Sequence, residues 1–155
     1  MTVSTMLSLL SQGFVTSLLI FALTLLFSMP LGLAVMFGRR SRLTPLRGFI
    51  KAYISIMRGT PLMLQLMVVF YGPKLLLGVT VPGNWRFTAV IVAFVINYAA
   101  YFAEIYRSGI ESIPVGQYEA ADILGYSKIQ TFFRIILPQV LKRIMPSVTN
   151  EVVTL

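Results

Sequence analysis

The chain has no cysteine and no histidine among its 155 residues. Thiol chemistry, Cys/His zinc sites and a histidine general base are therefore excluded. Charge is scarce too. Asp, Glu, Lys and Arg make up 12% of the chain, against about 25% in an ordinary globular domain. Acidic residues number only five, too few and too scattered to suggest a metal centre, and no cofactor is expected. The pattern G-x-x-x-x-G-K-[ST] is missing, so this sequence carries no phosphate-binding loop of its own. If ATP is used, another chain hydrolyses it. No Lys or Arg precedes Arg39. The N-terminal stretch thus lacks the basic region of a cleaved signal and reads as a retained first span. With no nucleophile and base that could meet in an apolar setting, an intramembrane enzyme is not expected.

What fills the sequence instead is apolar: 57% of residues are hydrophobic, in long runs. This is the composition of an all-α membrane protein embedded in a lipid bilayer. Met1 to Gln12 is weakly amphipathic and suits a short interfacial helix. From Gly13 to Phe37 the run is unbroken, and its roughly 24 residues at about 1.5 Å each match a hydrocarbon core of about 30 Å. Pro30 should kink it. A second span is expected from about Ser55 to Leu77 and a third from about Phe87 to Tyr106. Pro82-Gly83-Asn84 turns between them, and Trp85 stands at the interface. A fourth span opens near Ile144, and with only about twelve residues to Leu155 it is too short to cross. The sequence therefore reads as C-terminally incomplete.

The 13 Lys and Arg residues give a net charge of +8. Six lie between Arg39 and Arg58 and five between Arg107 and Arg143. Clusters flanking apolar spans follow the positive-inside rule and do not call for nucleic acid. They put the N-terminus outside and residues 107–143 in the cytoplasm, and they favour anionic lipid. Arg58 reads as an anchor at the headgroups, and Glu104 with Arg107 as a pair one helical turn apart.

Residues 107–143 hold the most informative stretch. Glu119-Ala120-Ala121 is followed after three residues by Gly125 and, nine residues on, by Ile135-Ile136-Leu137-Pro138. Val115 to Leu124 suits a short helix with Gly125 at its left-handed C′ position. Ser127 with Gln130 forms a capping-box pattern for a second short helix. That helix is expected to present Ile129, Phe132, Phe133 and Ile136 on one stripe and to break or bend at Pro138. Two small alanines and a glutamate at a tight joint suit contact with another protein surface.

These residues carry a resemblance. The E-A-A…G…I-x-L-P pattern resembles the loop by which the membrane subunit of an ABC importer docks on its ATPase. Arg58-Gly59-Thr60-Pro61-Leu62 with Gln65 is similar to R-G-T-P-L…Q of the polar amino acid permeases. Ala100-Tyr101-Phe102-Ala103-Glu104-Ile105-Tyr106-Arg107-Ser108-Gly109-Ile110 and Gly116-Gln117-Tyr118-Glu119-Ala120-Ala121 continue the match, from about Gly13 to Leu155. The resemblance implies a type I ABC importer permease fold, with residues 1–155 as one transmembrane domain and 107–143 as its coupling loop. It implies coupling through Glu119, Ala120, Ala121 and Gly125 in a bacterial inner membrane. The implied partners are an ATP-binding subunit, a second permease subunit and an extracytoplasmic amino acid-binding protein. Family members continue beyond the position of Leu155 through a completed fourth span and a fifth.

Deep polar residues are the candidates for substrate contact. Gln65, Asn97, Asn150 and Glu151 fall at similar depth, where a transport cavity is expected. For Gln65 and Asn97, hydrogen bonding between helices is the alternative. Tyr98 and Tyr101 either line that cavity or pack. Glu151, among valines, calls for a cationic partner, and the stretch Asn150-Glu151-Val152 resembles permeases of basic amino acids. Glutamine, glutamate or another polar amino acid is the alternative substrate. A stand-alone secondary transporter would need a coupling-ion site and would leave the E-A-A loop unexplained.

Overall fold

A computed structural model describes residues 3–80 and 82–155, and the described residues form helices and connections with no strand. The order is α1 (Val3–Arg39), α2 (Thr44–Gly59), α3 (Leu62–Leu77), α4 (Trp85–Glu111), α5 (Val115–Ile123) and α6 (Lys128–Gln130). A π-helical turn (Thr131–Ile136) then leads into α7 (Leu137–Thr154). The interfacial helix expected over Met1 to Gln12 is, in its described part, the first turns of α1, which runs through Pro30 as one continuous helix.

α4 is the central helix, and α1, α2, α3 and α7 all pack on it. α1 meets it with Thr24, Ser28, Gly32 and Met36, its buried residues, spaced four apart. A Cβ on Gly32 would stand 2.7 Å from the Phe102 Cβ and 3.0 Å from the Ala99 carbonyl oxygen. The helices touch because their facing residues are small, which is how apolar helices associate in lipid. α4 answers with Ala89, Ala93, Ala99, Ala100 and Ala103, all buried. Elsewhere α1 turns Phe14, Leu18, Leu26 and Phe27 outward, the surface lipid requires.

Among the described residues two helices, α1 and α4, are long and apolar enough to cross a membrane, or three spans if the bent pair α2–α3 counts as one. The second span expected from Ser55 to Leu77 is corrected in form: it is not one straight helix. The chain bends by 112° between α2 and α3, so Ser55–Gly59 belong to an amphipathic helix that starts at Thr44 with Pro45 in its first turn. Hydropathy sums residues and does not register direction. Pro61 carries the break, because it lacks the N–H that would continue α2. α3 ends at Gly78, which is left-handed at φ 63°.

Candidate functional site: a fastened helix break and a cytoplasmic knob

The break leaves an orphan. The carbonyl of Met57 lies four residues before Pro61, which has no N–H to give it. Two side chains take that place. Gln65 Nε2 and Asn97 Nδ2 each donate to the Met57 oxygen at 3.0 Å. Gln65 Nε2 also reaches the Thr60 carbonyl at 3.0 Å and its hydroxyl at 2.8 Å. Asn97 Nδ2 donates to Gln65 Oε1 at 2.9 Å. Both amides are thus buried and engaged with protein. Beside them lies a cavity of about 300 Å³ between α2, α3 and α4, apolar except for Thr60 and Gln65.

Glu151 and Asn150 lie elsewhere, on α7. Among the described residues neither side chain bonds Gln65 or Asn97. Asn150 is exposed and Glu151 half-buried. Glu151 is within electrostatic reach of Arg58 and of Tyr98. The Arg58 guanidinium stands 5.3 Å from the centroid of the Tyr101 ring, the Tyr98 and Tyr101 rings are 6.2 Å apart, and the Tyr98 hydroxyl donates to the Thr154 carbonyl at 3.3 Å. The structure therefore groups Arg58, Tyr98, Tyr101 and Glu151. Arg58, in the last turn of α2 just before the bend, stands over Tyr101 and is exposed. A basic residue next to a helix-breaking Gly59-Thr60-Pro61 was the available signal.

The segment from α5 to α7 is built of familiar capping parts. α5 closes in a full Schellman motif: Tyr126 N–H donates to the Ala121 carbonyl and Gly125 N–H to that of Asp122, both at 3.0 Å, with Gly125 at φ 76°. Ser127 and Gln130 form the expected capping box. The stripe that was to follow is corrected. Ile136 is buried and Phe132 half-buried, while Ile129 and Phe133 are 72% and 62% exposed. The π turn is the cause, since its wider winding abandons the 3.6-residue repeat. The Leu137 N–H reaches back to the Phe132 carbonyl, and Pro138 enters α7 without breaking it. The second helix is consequently long, unbroken from Lys128 to Thr154.

Glu119 and Ala120 are exposed, whereas Ala121 is fully buried. Gln139 Nε2 ties α7 to α5 through Gln117 Oε1 at 3.1 Å. Ile113, Ile136, Val140 and Ile144 form the core beneath. Glu104 pairs with Arg107, as its spacing predicts, and also with Arg39 at the end of α1. The small-residue stripe of α1 escaped sequence reading, although Thr24-x-x-x-Ser28-x-x-x-Gly32 was its signature.

A central helix with apolar outward-facing neighbours and a fastened break define a multi-pass helical membrane protein. Residues 28–155 match the family described as "Binding-protein-dependent transport system inner membrane component". The chain belongs to this family. It is 38% identical over 144 residues to the arginine transport system permease protein ArtQ of Bacillus subtilis (strain 168), covering 93% of this chain and 64% of that protein. To the L-cystine transport system permease protein TcyB of the same organism it is 37% identical over 147 residues, 94% of this chain and 61% of the relative. A putative glutamine transport system permease protein, GlnP of Rickettsia bellii (strain RML369-C), is 34% identical over 144 residues, 93% and 65% of the two chains. A solved structure, "Crystal structure of an amino acid ABC transporter with histidines", superposes with a TM-score of 0.75 at 32% identity, over 96% of this chain and 70% of that one. The chain spans about three fifths of the length of the curated relatives it matches.

Proposed function

We propose that this chain is the membrane permease part of an ATP-driven amino acid importer. In this reading it lines the translocation pathway in a bacterial inner membrane, its N-terminus outside. A separate ATPase drives it by pushing on α5. A second permease subunit completes the pathway and an extracytoplasmic binding protein delivers the amino acid.

The observation that carries the coupling assignment is the exposed knob. Glu119 and Ala120 stand clear on α5, and Ile123 and Leu124 beside them are 87% and 72% exposed. Large apolar side chains held outward by a Schellman turn, next to a carboxylate, suit a protein partner. Gly125 sets the joint, and the buried Ala121 lets α5 sit close on the π turn.

For the substrate, the Arg58–Tyr98–Tyr101–Glu151 group supports an amino acid. A guanidinium suits a carboxylate, and a carboxylate suits an ammonium. Gln65 and Asn97 would then shape the bend, and Asn150 would border the group. The first reading is a basic amino acid, with Glu151 taking the side-chain charge. The second is a neutral one such as glutamine. It is favoured by the reach of Arg58 to Glu151, which leaves less negative charge to be matched.

The test is uptake into proteoliposomes by the full-length polypeptide with its ATPase and binding protein. ATP-dependent arginine uptake, abolished by Glu119→Arg and reduced at least tenfold by Glu151→Gln, is expected. Glutamine uptake insensitive to Glu151→Gln would discard the basic substrate. Uptake without the ATPase would discard the importer.

A further inference from the structure

A second feature lies between α1 and α7. α1 and α7 both pack on α4, and a groove of about 370 Å³ runs between them. One wall is Leu33, Met36, Phe37 and Arg40, the other Leu137, Val140, Leu141 and Ile144. Both sets follow the spacing i, i+3, i+4, i+7, so each is one stripe of a helix. Tyr106 and Ile110 form the floor. Leu33, Phe37 and Leu141 are 44%, 60% and 47% exposed, which makes the groove continuous with the lipid-facing surface.

At its cytoplasmic end the groove opens into a polar pocket of about 350 Å³, with which it shares Arg40, Ile110 and Phe132. Here the lining changes to Arg40, Lys128, Thr131 and Tyr118, with one carboxylate, Asp122. Among the described residues neither Arg40 nor Lys128 forms an ion pair. Two free cations and the Tyr118 hydroxyl, with Asp122 beside them, thus stand where the apolar walls end; the Thr131 hydroxyl is engaged by the Ser127 carbonyl.

We propose that this groove and pocket hold one anionic phospholipid of the inner leaflet. An acyl chain lies between α1 and α7, and the phosphate is held by Arg40 and Lys128. Basic pockets between helices on the cytoplasmic side are what acidic headgroups select. A packed helix would fill the apolar walls and leave both cations unmatched. The far wall of the pocket is Tyr118 and Asp122 of α5, so the headgroup bridges the end of α1 and the cytoplasmic knob. The site requires the chain to lie in lipid with its basic end at the cytoplasmic face, and it does not rest on the importer reading.

The experiment is native mass spectrometry of the full-length polypeptide in detergent, titrated with phosphatidylglycerol or phosphatidylcholine. Phosphatidylglycerol adducts are expected to be favoured. The R40Q/K128Q double variant should weaken them about 30-fold, about fivefold per basic residue. R40K/K128R should keep them, which separates charge from folding. Leu141→Trp, which fills the groove without touching a charge, should also weaken them. Equal binding by the wild type and R40Q/K128Q would overturn the proposal. So would displacement by millimolar inorganic phosphate with no effect of Leu141→Trp, which marks a free-phosphate site. A photo-crosslinker at position 141 that captures protein instead of lipid would give the groove to another helix or a second copy, and would equally overturn it.

Discussion

If Gln65 and Asn97 exist to supply the hydrogen that Pro61 withholds, their loss should be more than additive. Replacing Asn97 by Val removes its donation to the Met57 carbonyl and to Gln65 Oε1, but Gln65 Nε2 still serves Met57. Replacing Gln65 by Leu leaves Asn97 serving Met57. Each single change should cost about 0.6 kcal/mol, the average for polar contacts between membrane helices, and at most about 1.7 kcal/mol. Only the double variant strips the carbonyl of both donors. An unsatisfied buried carbonyl costs about 1–3 kcal/mol. Against this, the direct Gln65–Asn97 bond is lost already in either single variant, so the sum counts it twice, by about 0.6 kcal/mol. The balance is a coupling of about 1 kcal/mol beyond the sum, of a sign opposite to that of a simple contacting pair. Equilibrium unfolding of the full-length polypeptide in bicelles, run as a double-mutant cycle, measures it. Pro61→Ala restores an N–H at the break, and in the double variant it should recover a similar amount. A sub-additive cycle, or no recovery with Pro61→Ala, would refute the assignment of these amides as replacements for the missing donor.

Two further outcomes follow from backbone geometry. Gly32→Ala places a methyl against the Phe102 Cβ and the Ala99 backbone, neither of which can swing aside. It should cost about 1–3 kcal/mol by the same unfolding assay, whereas Leu18→Ala on the exposed face should cost far less. Gly125→Ala forces a side chain into the left-handed region at φ 76°, a penalty of about 1 kcal/mol. Because Gly125 touches nothing beyond its own turn, the loss should be local. Amide exchange in α5 should speed up about fivefold while the global melting temperature barely moves.

What was legible in the sequence was local chemistry. Gly125 as a C′ residue and the Ser127–Gln130 box were readable because each cap depends on residues within one turn. The crossing helices α1 and α4 were readable because lipid imposes length and apolarity on them. The bend at Pro61 was not, although the proline was plain, because a proline inside an apolar run is compatible with both a straight and a broken span. Only the Asn97 side chain, thirty-two residues beyond Gln65, makes the broken form a satisfied one. The π turn failed for a related reason. Nothing in Thr131–Ile136 demands five-residue hydrogen bonding. Pro138 asks only for a missing donor to be accommodated, and the chain meets that request by widening a turn where a break or bend was expected. The approach of Arg58 to Tyr101 was not legible, because it joins residues forty-three apart in the chain.

The placement of the two candidate sites on one helix has its own consequence. Asn97, Tyr98 and Tyr101 sit near the middle of α4, and Gly109 near its end packs on Val140 and Ile144 of α7. The path from Asn97 to Gly109 is about 18 Å of unbroken helix, at about 1.5 Å per residue. Tyr106 and Ile110 belong to the surroundings of both cores, one against α1 and α2 and the other beneath α5. The ion pairs of Glu104 with Arg39 and Arg107 bind the same stretch to α1. On the importer reading a force applied to α5 would meet α4 and α7 together, through the core they share. It would reach the Arg58–Glu151 group through α4, by Tyr98 and Tyr101, or along α7, which carries Glu151 itself. Coupling in this chain would then require no flexible linker, only two stiff helices packed along one another from Gly109 to Tyr98.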